Sequence, residues 1–509
     1  MSRPPEEYGT WWGTPPPSAR QEPRSFARAL GLTVLGALVP GAGLWAAGRR
    51  KLGLTILAIF VLLCAGAVYL ATHGRLLVLH WIVRPEALSV IAAALPLLGV
   101  AWALVVLTTY RSLRPSTTST LERVTGYTVA ITLALAILAP LAVGGRYALV
   151  QKDLIEHVFA DTEPVSVAAA TTSTPTPASD ASPGSTASAS ASPSPSPRPD
   201  PWKGRDRVNI LLLGGDGGPD RVGIRTDTVI LASIDVHTGN TLLIGLPRNL
   251  SKIPFPPDSP LRKAYPTGKY EGEGDYLEWI LTSIYENLPA AHPGLLKVAN
   301  PGAEATKHAV AGALNLPVHY YVLVNLKGFE KLIDAIGGIT VNVNHRVAIG
   351  GVESEGLRPG GWIEKGPNQH LDGHKALWFA RGRYGADDYQ RMERQRCVVK
   401  AIIDQVDPVT FLTRFEAIAT TTKDLILTDI PADLLPALVD LSLKVKQAEV
   451  SALTFTNKII KTSNPDYALM RSMVRNALEG VGSGAVGKSQ PRWQADSLDE
   501  VCAYAPEES

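Results

Sequence analysis

Apolar and polar residues are distributed unevenly along the 509-residue chain. Apolar runs dominate the first third, at about 27–48, 52–71, 88–110 and 127–145. A helix crossing a bilayer needs roughly 20 apolar residues, and the last three runs reach that length. The first is broken by Pro40, Gly41 and Gly43, so it either spans or dips in and returns. None has the short apolar core and small-residue cleavage site of a removable signal peptide.

Beyond residue 205 the runs become short, as in a globular domain. Val208 to Leu213 is continuously apolar and predicts a buried strand that delivers Asp216 to the loop at its end. Thr228 to Ile234 and Thr241 to Leu246 predict two further strands, joined by a hairpin turn over Asp235–Asn240 containing Gly239. Tyr320 to Val324 is another strand. Phe329 to Ile336 has helical periodicity and stops at Gly337 and Gly338, a C-terminal cap. Ile339 to Val343 alternates as a strand does. This mixture predicts an α/β (α+β) layered domain, with a mixed central sheet flanked by helices, following an α-helical transmembrane region.

Composition sets the boundaries between these parts. Residues 1–26 are Pro-rich and polar and predict disorder. The membrane region covers 27–149 and a linker covers 150–204, rich in Ala, Ser, Thr and Pro from about 162 onward. Such a stretch buries no core, and its prolines keep it extended, as in a stalk. The globular domain covers 205–480, and 481–509 is a tail. The formal charge of +2 selects no class of partner. No repeat at solenoid spacing is present.

Orientation follows from the basic loops. Arg49, Arg50 and Lys51 precede the second apolar run, and Arg111, Arg114 and Arg123 lie between the third and fourth. Lys and Arg favour the cytoplasmic side, which places everything after the fourth run outside. Four spans with an external N-terminus satisfy this; so do three spans and a re-entrant first segment, which Arg20, Arg24 and Arg28 favour. An external domain excludes an intracellular nucleic-acid role. Cys397 and Cys502 then lie in an oxidising compartment and are a candidate disulfide pair, whereas Cys64 lies in a membrane segment.

The densest chemistry lies between Ala376 and Ile403, which carries Arg381, Arg383, Arg391, Arg394 and Arg396 beside Asp387, Asp388, Glu393 and Gln395. Arg381 and Arg383 are two apart in a stretch that reads as extended, so they share a face. Asp388, Arg391 and Gln395 fall on one face of a helix beginning near Asp387, which continues into a core through Val398, Val399, Ile402 and Ile403. Guanidinium groups bind phosphate with paired hydrogen bonds and stay charged. Further candidates stand at strand ends: Asp216, the same-face pair Arg225 and Asp227, and Arg248. The GGDGG run lacks the Gly-Lys-Ser/Thr ending of a phosphate loop and reads as a tight turn. His370 and His374 have the spacing of zinc ligands, but a helix start at Leu371 explains them better.

Five stretches occurring in this order, NILLLGGD, RTDTVILASID, LPRN, GFEKLIDAIGGITV and ALWFARGRYGADDYQRMERQR, resemble the LytR-CpsA-Psr family of bacterial cell-wall glycopolymer phosphotransferases. The resemblance is strong over 206–404 and weakens toward 480. It implies a membrane-anchored extracytoplasmic enzyme that moves a glycopolymer from a polyprenyl-pyrophosphate carrier to peptidoglycan through a phosphodiester. It also implies a divalent cation, Mg²⁺ or Mn²⁺, held by aspartates, and a lipid tail in an apolar pocket. Carried over by position, Asp216 and Asp227 are the metal-side aspartates, and Arg225, Arg248, Arg381 and Arg383 the pyrophosphate arginines. Asp388, Arg391 and Gln395 complete the last motif. Either Asp227 or Asp388 would take the acceptor proton. Asn249 stands where the family usually has Asp, Arg396 stands where many members have Gln, and the N-terminal region has more spans than the single anchor of many members. A hydrolase acting on the same lipid, or a regulator that only binds it, are the alternative readings.

Overall fold

The computed structural model describes residues 25–115, 118–159, 200–216, 224–407, 426–480 and 495–505. The expected N-terminal disorder, most of the linker, Gly217 and Gly218, and residues 481–494 of the tail lie outside the described residues. The chain divides into two compact units, residues 1–75 with 90–148 and residues 76–89 with 149–509.

In the first unit the interrupted apolar run becomes two helices, α1 (Phe26–Leu38) and α2 (Ala42–Ala46). Pro40 cannot donate a backbone hydrogen bond, and Gly41 adopts φ +94°, so the helix breaks between them. Helices α3 (Arg50–Thr72), α5 (Pro85–Leu113) and α6 (Thr120–Val158) are long and apolar enough to cross a membrane, whereas α1, with 13 residues, is shorter than a span. Between α3 and α5 lies the short helix α4 (Arg75–Ile82).

The second unit is built on a mixed seven-stranded sheet. Its first strands are β1 (Arg207–Gly215), β2 (Thr226–Asp235) and β3 (Thr241–Gly245), antiparallel neighbours in chain order. A small hairpin of β4 (Ile253–Pro254) and β5 (Lys269–Tyr270) leads to helices α7 (Ile284–Ala291) and α8 (Pro301–Leu314). Strand β6 (Tyr320–Asn325) returns parallel to β1. Helix α9 (Leu326–Ile336) follows, capped by the Asn325 side chain and ended by Gly337 at φ 92°. Next come β7 (Ile339–Val343), the hairpin of β8 (Val347–Ile349) and β9 (Gly361–Ile363), and β10 (Gly366–Leu371). Helices α10 (Gly373–Arg381) and α11 (Asp388–Gln405) carry the arginine cluster. The fold closes with β11 (Ile426–Thr428), α12 (Leu435–Val445), β12 (Val450–Thr454), α13 (Tyr467–Gly480), β13 (Asp496–Ser497) and α14 (Leu498–Val501).

Across the sheet the order is β11-β6-β1-β2-β3-β12-β13. Side chains alternate between its faces. Leu211, Leu213, Val229, Leu231, Leu242 and Ile244 pack with α8 and α13 on one face. Ile210, Ile230, Ala232 and Leu243 serve the other, under α11, α12 and α14. Helix α8 is buried along its whole length from Gly302 to Leu314, including Lys307. That cation is compensated by Asp429 at 2.8 Å and Glu304 at 3.2 Å, as a buried charge requires. Strand β7 pairs with β10 rather than joining the central sheet, and this small sheet shares a second core with α9, α10 and α11.

Two local expectations are corrected. The helix near His374 starts at Gly373, capped by Asp372, while Leu371 closes β10. Arg381 is the last residue of α10, not part of an extended segment, so it and Arg383 do not share a strand face. Ala376 to Ala380 is a short apolar run, which periodicity alone assigns equally well to strand or helix; the Asp372 cap settles it.

Residues 76–89 and the last turns of α6 belong to the second unit. On α4, His80 Nε2 lies 2.9 Å from Asp440 Oδ1 of α12, and Leu79 and Val83 are buried. At the end of α6, Leu154 and Val158 pack with Leu332, Ala335 and Ile426.

Candidate active site

Three strand ends, of the neighbouring inner strands β1, β2 and β3, lie on the same side of the central sheet's strand termini. Because β2 runs antiparallel to β1, Gly215 pairs with Thr226, which sets Asp216 beside the start of β2. The Arg225 backbone N–H donates to Asp216 Oδ1 at 2.8 Å. Asp227 is the second residue of β2, and Arg248 follows the end of β3 two residues beyond Leu246. The other groups come from α11, whose start is fixed by a capping box between Asp387 and Gln390. Asp388, Arg391 and Gln395 occupy one face of it.

These groups form a ring of alternating charge. Arg248 Nη1 donates to Asp227 Oδ1 at 2.7 Å, and its Nε donates to Asp388 Oδ2 at 3.1 Å. Arg383 Nη2 donates to Asp227 Oδ2 at 2.9 Å, and its Nε lies 3.9 Å from Asp388 Oδ1. Arg391 Nη2 lies 3.6 Å from that same oxygen. The Arg391 side chain is 2% exposed, and its Nε has no hydrogen-bond partner. Gln395 and Arg396 are also buried.

Electrostatics follow from this packing. Burial alone would raise the Asp227 carboxyl, but Arg248, Arg383 and Arg391 outweigh it and hold the group below the usual carboxylate range. Burial would lower Arg248, but Asp227 and Asp388 keep it above its ordinary value. Burial pulls Arg391 down to about 10, and repulsion from Arg383 and Arg248 adds to the shift. The ring therefore has more cations than carboxylates: Arg248, Arg383 and Arg391 against Asp227 and Asp388.

Next to the ring lies a cavity of about 750 Å³. Asp216, Asp227, Arg381, Arg383, Arg391 and Gln395 line it where the strands end and α11 begins. Further along the same elements the lining turns apolar, with Leu212, Ile230, Val322, Val398 and Ile402, and Phe329 and Leu332 of α9. This arrangement suits a charged head group joined to a long apolar tail.

The sequence candidates are not all equivalent here. Arg225 is exposed and contributes its backbone to Asp216. Arg381 lies over the Trp378 ring, 4.9 Å from its centroid. Asn249 points to a different partner, its Nδ2 donating to Thr462 Oγ1 at 3.2 Å. The hairpin loop Gly350–Ser354 also lines the cavity, and Glu353 accepts the Gly385 N–H at 3.2 Å. No periodicity signalled that loop, because its place depends on the β8–β9 pairing. Cys397 and Cys502 are joined in a disulfide, tying the tail to α11. His370 and His374 lie on separate elements, and His374 pairs with Glu330 at 3.1 Å. Among the described residues no group of three or more His, Cys, Asp and Glu side chains forms a metal cluster. Asp216 and Asp227 both line the shared cavity. Paired carboxylates are the donor type that suits a hard divalent ion.

The chain is similar to several known proteins. The polyisoprenyl-teichoic acid–peptidoglycan teichoic acid transferase TagU of Oceanobacillus iheyensis is 30% identical over 241 residues, 47% of this chain and 63% of its own length. Its counterpart in Enterococcus faecalis is 30% identical over 233 residues, 45% of this chain and again 63% of its own length. The match thus spans less than two thirds of each relative. The crystal structure of B. subtilis TagV aligns with 59% of this chain and 99% of its own, at 18% identity and a TM-score of 0.37. The LytR_cpsA_psr family model matches residues 170–478, the greater part of the chain, and the protein belongs to that family.

Proposed function

We propose that this protein transfers a glycopolymer from a polyprenyl-pyrophosphate carrier to peptidoglycan, forming a phosphodiester, on the extracytoplasmic face of the membrane. The observation that carries the reading is the junction of the Asp227–Arg248–Asp388–Arg383 ring with the apolar cavity. A diphosphate brings several negative charges to a ring that holds excess cations, and a prenyl chain buries apolar surface in the cavity. The two TagU relatives are named as transferases of this kind. The Lys and Arg residues in the loops flanking α3 and α5 support an external position for the second unit.

In this reading Arg383 and Arg391 hold phosphate oxygens as charge develops on them. Phosphoryl transfer depends on positioning and charge stabilisation more than on covalent help. Asp227, with a hydrogen bond from an arginine on each oxygen, orients Arg248 and Arg383 and is a weak base. Asp388 is the carboxylate that takes the proton from the acceptor hydroxyl. Asp216 and Asp227 would hold Mg²⁺ or Mn²⁺, which when bound neutralises phosphate charge. The arginine clamps without the ion would leave part of that charge unscreened.

The test uses the full-length protein in detergent micelles, a short glycan on polyprenyl pyrophosphate, MgCl₂ and soluble peptidoglycan fragments. Mass spectrometry should find the glycan joined to the fragments through one phosphate. Release of free glycan phosphate with no modified fragment would instead establish hydrolysis and overturn the reading.

A further inference from the structure

Asp227 divides the site. Its Oδ2 faces Arg383, which lines the apolar cavity, and its Oδ1 binds Arg248, which does not line it. In phosphoryl transfer the attacking and leaving oxygens lie roughly in line. If the lipid phosphate leaves toward the cavity, the acceptor hydroxyl must arrive from the Arg248 side. Three elements meet there, and the backbone of Arg248 and Asn249 joins them. Thr282 N–H donates to the Arg248 carbonyl at 2.9 Å, and Leu281 N–H to that of Leu250 at 2.8 Å. Asn249 Nδ2 reaches Thr462. Arg248 Nε binds Asp388 at the start of α11.

On this rim stands Tyr276. The residue is 42% exposed, yet its hydroxyl is fixed, donating to the Asn249 carbonyl at 3.0 Å. Asp275 caps the turn beneath it by accepting the Leu277 N–H at 3.0 Å. An exposed aromatic ring anchored to the residue that follows Arg248 offers a flat apolar face of the kind that sugar C–H groups cover, at little entropic cost. The chain around it carries Glu271, Glu273, Asp275 and Glu278, with no Lys or Arg from Glu271 to Glu278. That charge repels a polyanionic donor chain and tolerates a neutral or amine-bearing glycan.

We infer that Tyr276 is a platform for the acceptor sugar, stacking one residue of a peptidoglycan glycan so that its hydroxyl reaches the phosphorus beside Arg248 and Asp388. The inference rests on the transfer reading. The acceptor oxygen forms the new O–P bond, and the bond from that phosphorus to the prenyl phosphate oxygen breaks. The electron pair leaves with the prenyl phosphate, and the acceptor proton passes to Asp388. Tyr276 positions the sugar and takes no part in the bond changes.

The experiment measures KM separately for the soluble peptidoglycan fragments and for the lipid-linked donor, using full-length protein. Tyr276→Ala should raise the acceptor KM by about tenfold, the worth of one aromatic contact, with donor KM held within about twofold. Tyr276→Leu, which keeps bulk without a flat face, should behave like Ala, and Tyr276→Phe should keep most of the acceptor affinity. Melting temperatures of all three confirm folding. An unchanged acceptor KM in both Tyr276→Ala and Tyr276→Leu, or an equal rise in both KM values, overturns the platform. Wild-type protein that consumes donor without modifying any fragment overturns the transfer reading itself, and the platform with it.

Discussion

Arg383 donates a hydrogen bond to Asp227 at 2.9 Å across 156 residues of chain. That contact ties the turn between α10 and α11 to the start of β2, and it makes Asp227 the common partner of Arg383 and Arg248. Replacing Asp227 with Asn keeps the shape of the side chain but removes the charge that orients both guanidinium groups. Transfer should fall by on the order of 10²-fold or more, as for loss of a group that organises transition-state donors. Arg383→Lys should not restore full activity where Arg383→Ala abolishes it, because an ammonium lacks the two-pronged geometry. Turnover measured beside melting temperature checks this. Folded variants with wild-type rates would place the site elsewhere.

The same contact has a pH signature. The Asp227 carboxyl is held below its ordinary value, so its stabilising effect is present above the unfolded-state pKa, near 3.9. It is lost as pH falls through the lower folded-state value. Wild-type protein should therefore lose more thermal stability than Asp227→Asn as pH drops from about 5 toward 3. Melting curves of the two proteins across that range should converge in acid; parallel curves would show that the ring adds nothing to folding.

The Cys397–Cys502 bond spans 105 residues. Closing a loop of that length contributes about 4.7 kcal/mol on the chain-entropy model. The tail it holds also pairs β13 with β12, and Lys400 binds Asp499 at 2.8 Å. Cys502→Ser, or reductant added to the wild type, should lower the denaturation midpoint to the same extent. A midpoint indifferent to reductant would show that the tail is held by its other contacts alone.

Topology gives the fourth prediction. Residues 76–89 belong to the same compact unit as residues 149–509, with His80 bonded to Asp440. Both stretches must then lie on one side of the membrane. Cysteines placed near Arg84 and after residue 200 should react with an impermeant thiol reagent applied from outside. A cysteine near Arg114 should be protected until the membrane is opened. Labelling of the Arg114 position in sealed cells would reverse the orientation.

Local signals made much of this protein legible from sequence. The apolar run of β1, the hairpin turn at Gly239, the Gly337 stop and the start of α11 are each set by residues within a few positions of one another, so propensity and capping fix them. The break at Pro40–Gly41 and the length of the three long apolar helices follow from local chemistry in the same way. The candidate residues were also readable, because Asp and Arg at strand ends are conspicuous among apolar neighbours. What the tertiary structure decided was pairing. Nothing near Ala376–Ala380 says helix rather than strand until the Asp372 cap is packed in place. Arg225 and Asp227 alternate alike, yet only Asp227 meets Arg248 and Arg383, because β3 and the α10–α11 turn converge on that position. The cavity draws its walls from β1, β2, β6, α9 and α11, with lining residues spread from Leu212 to Ile402. Their meeting depends on which faces bury together, and that is settled by the sum of packing over the whole chain.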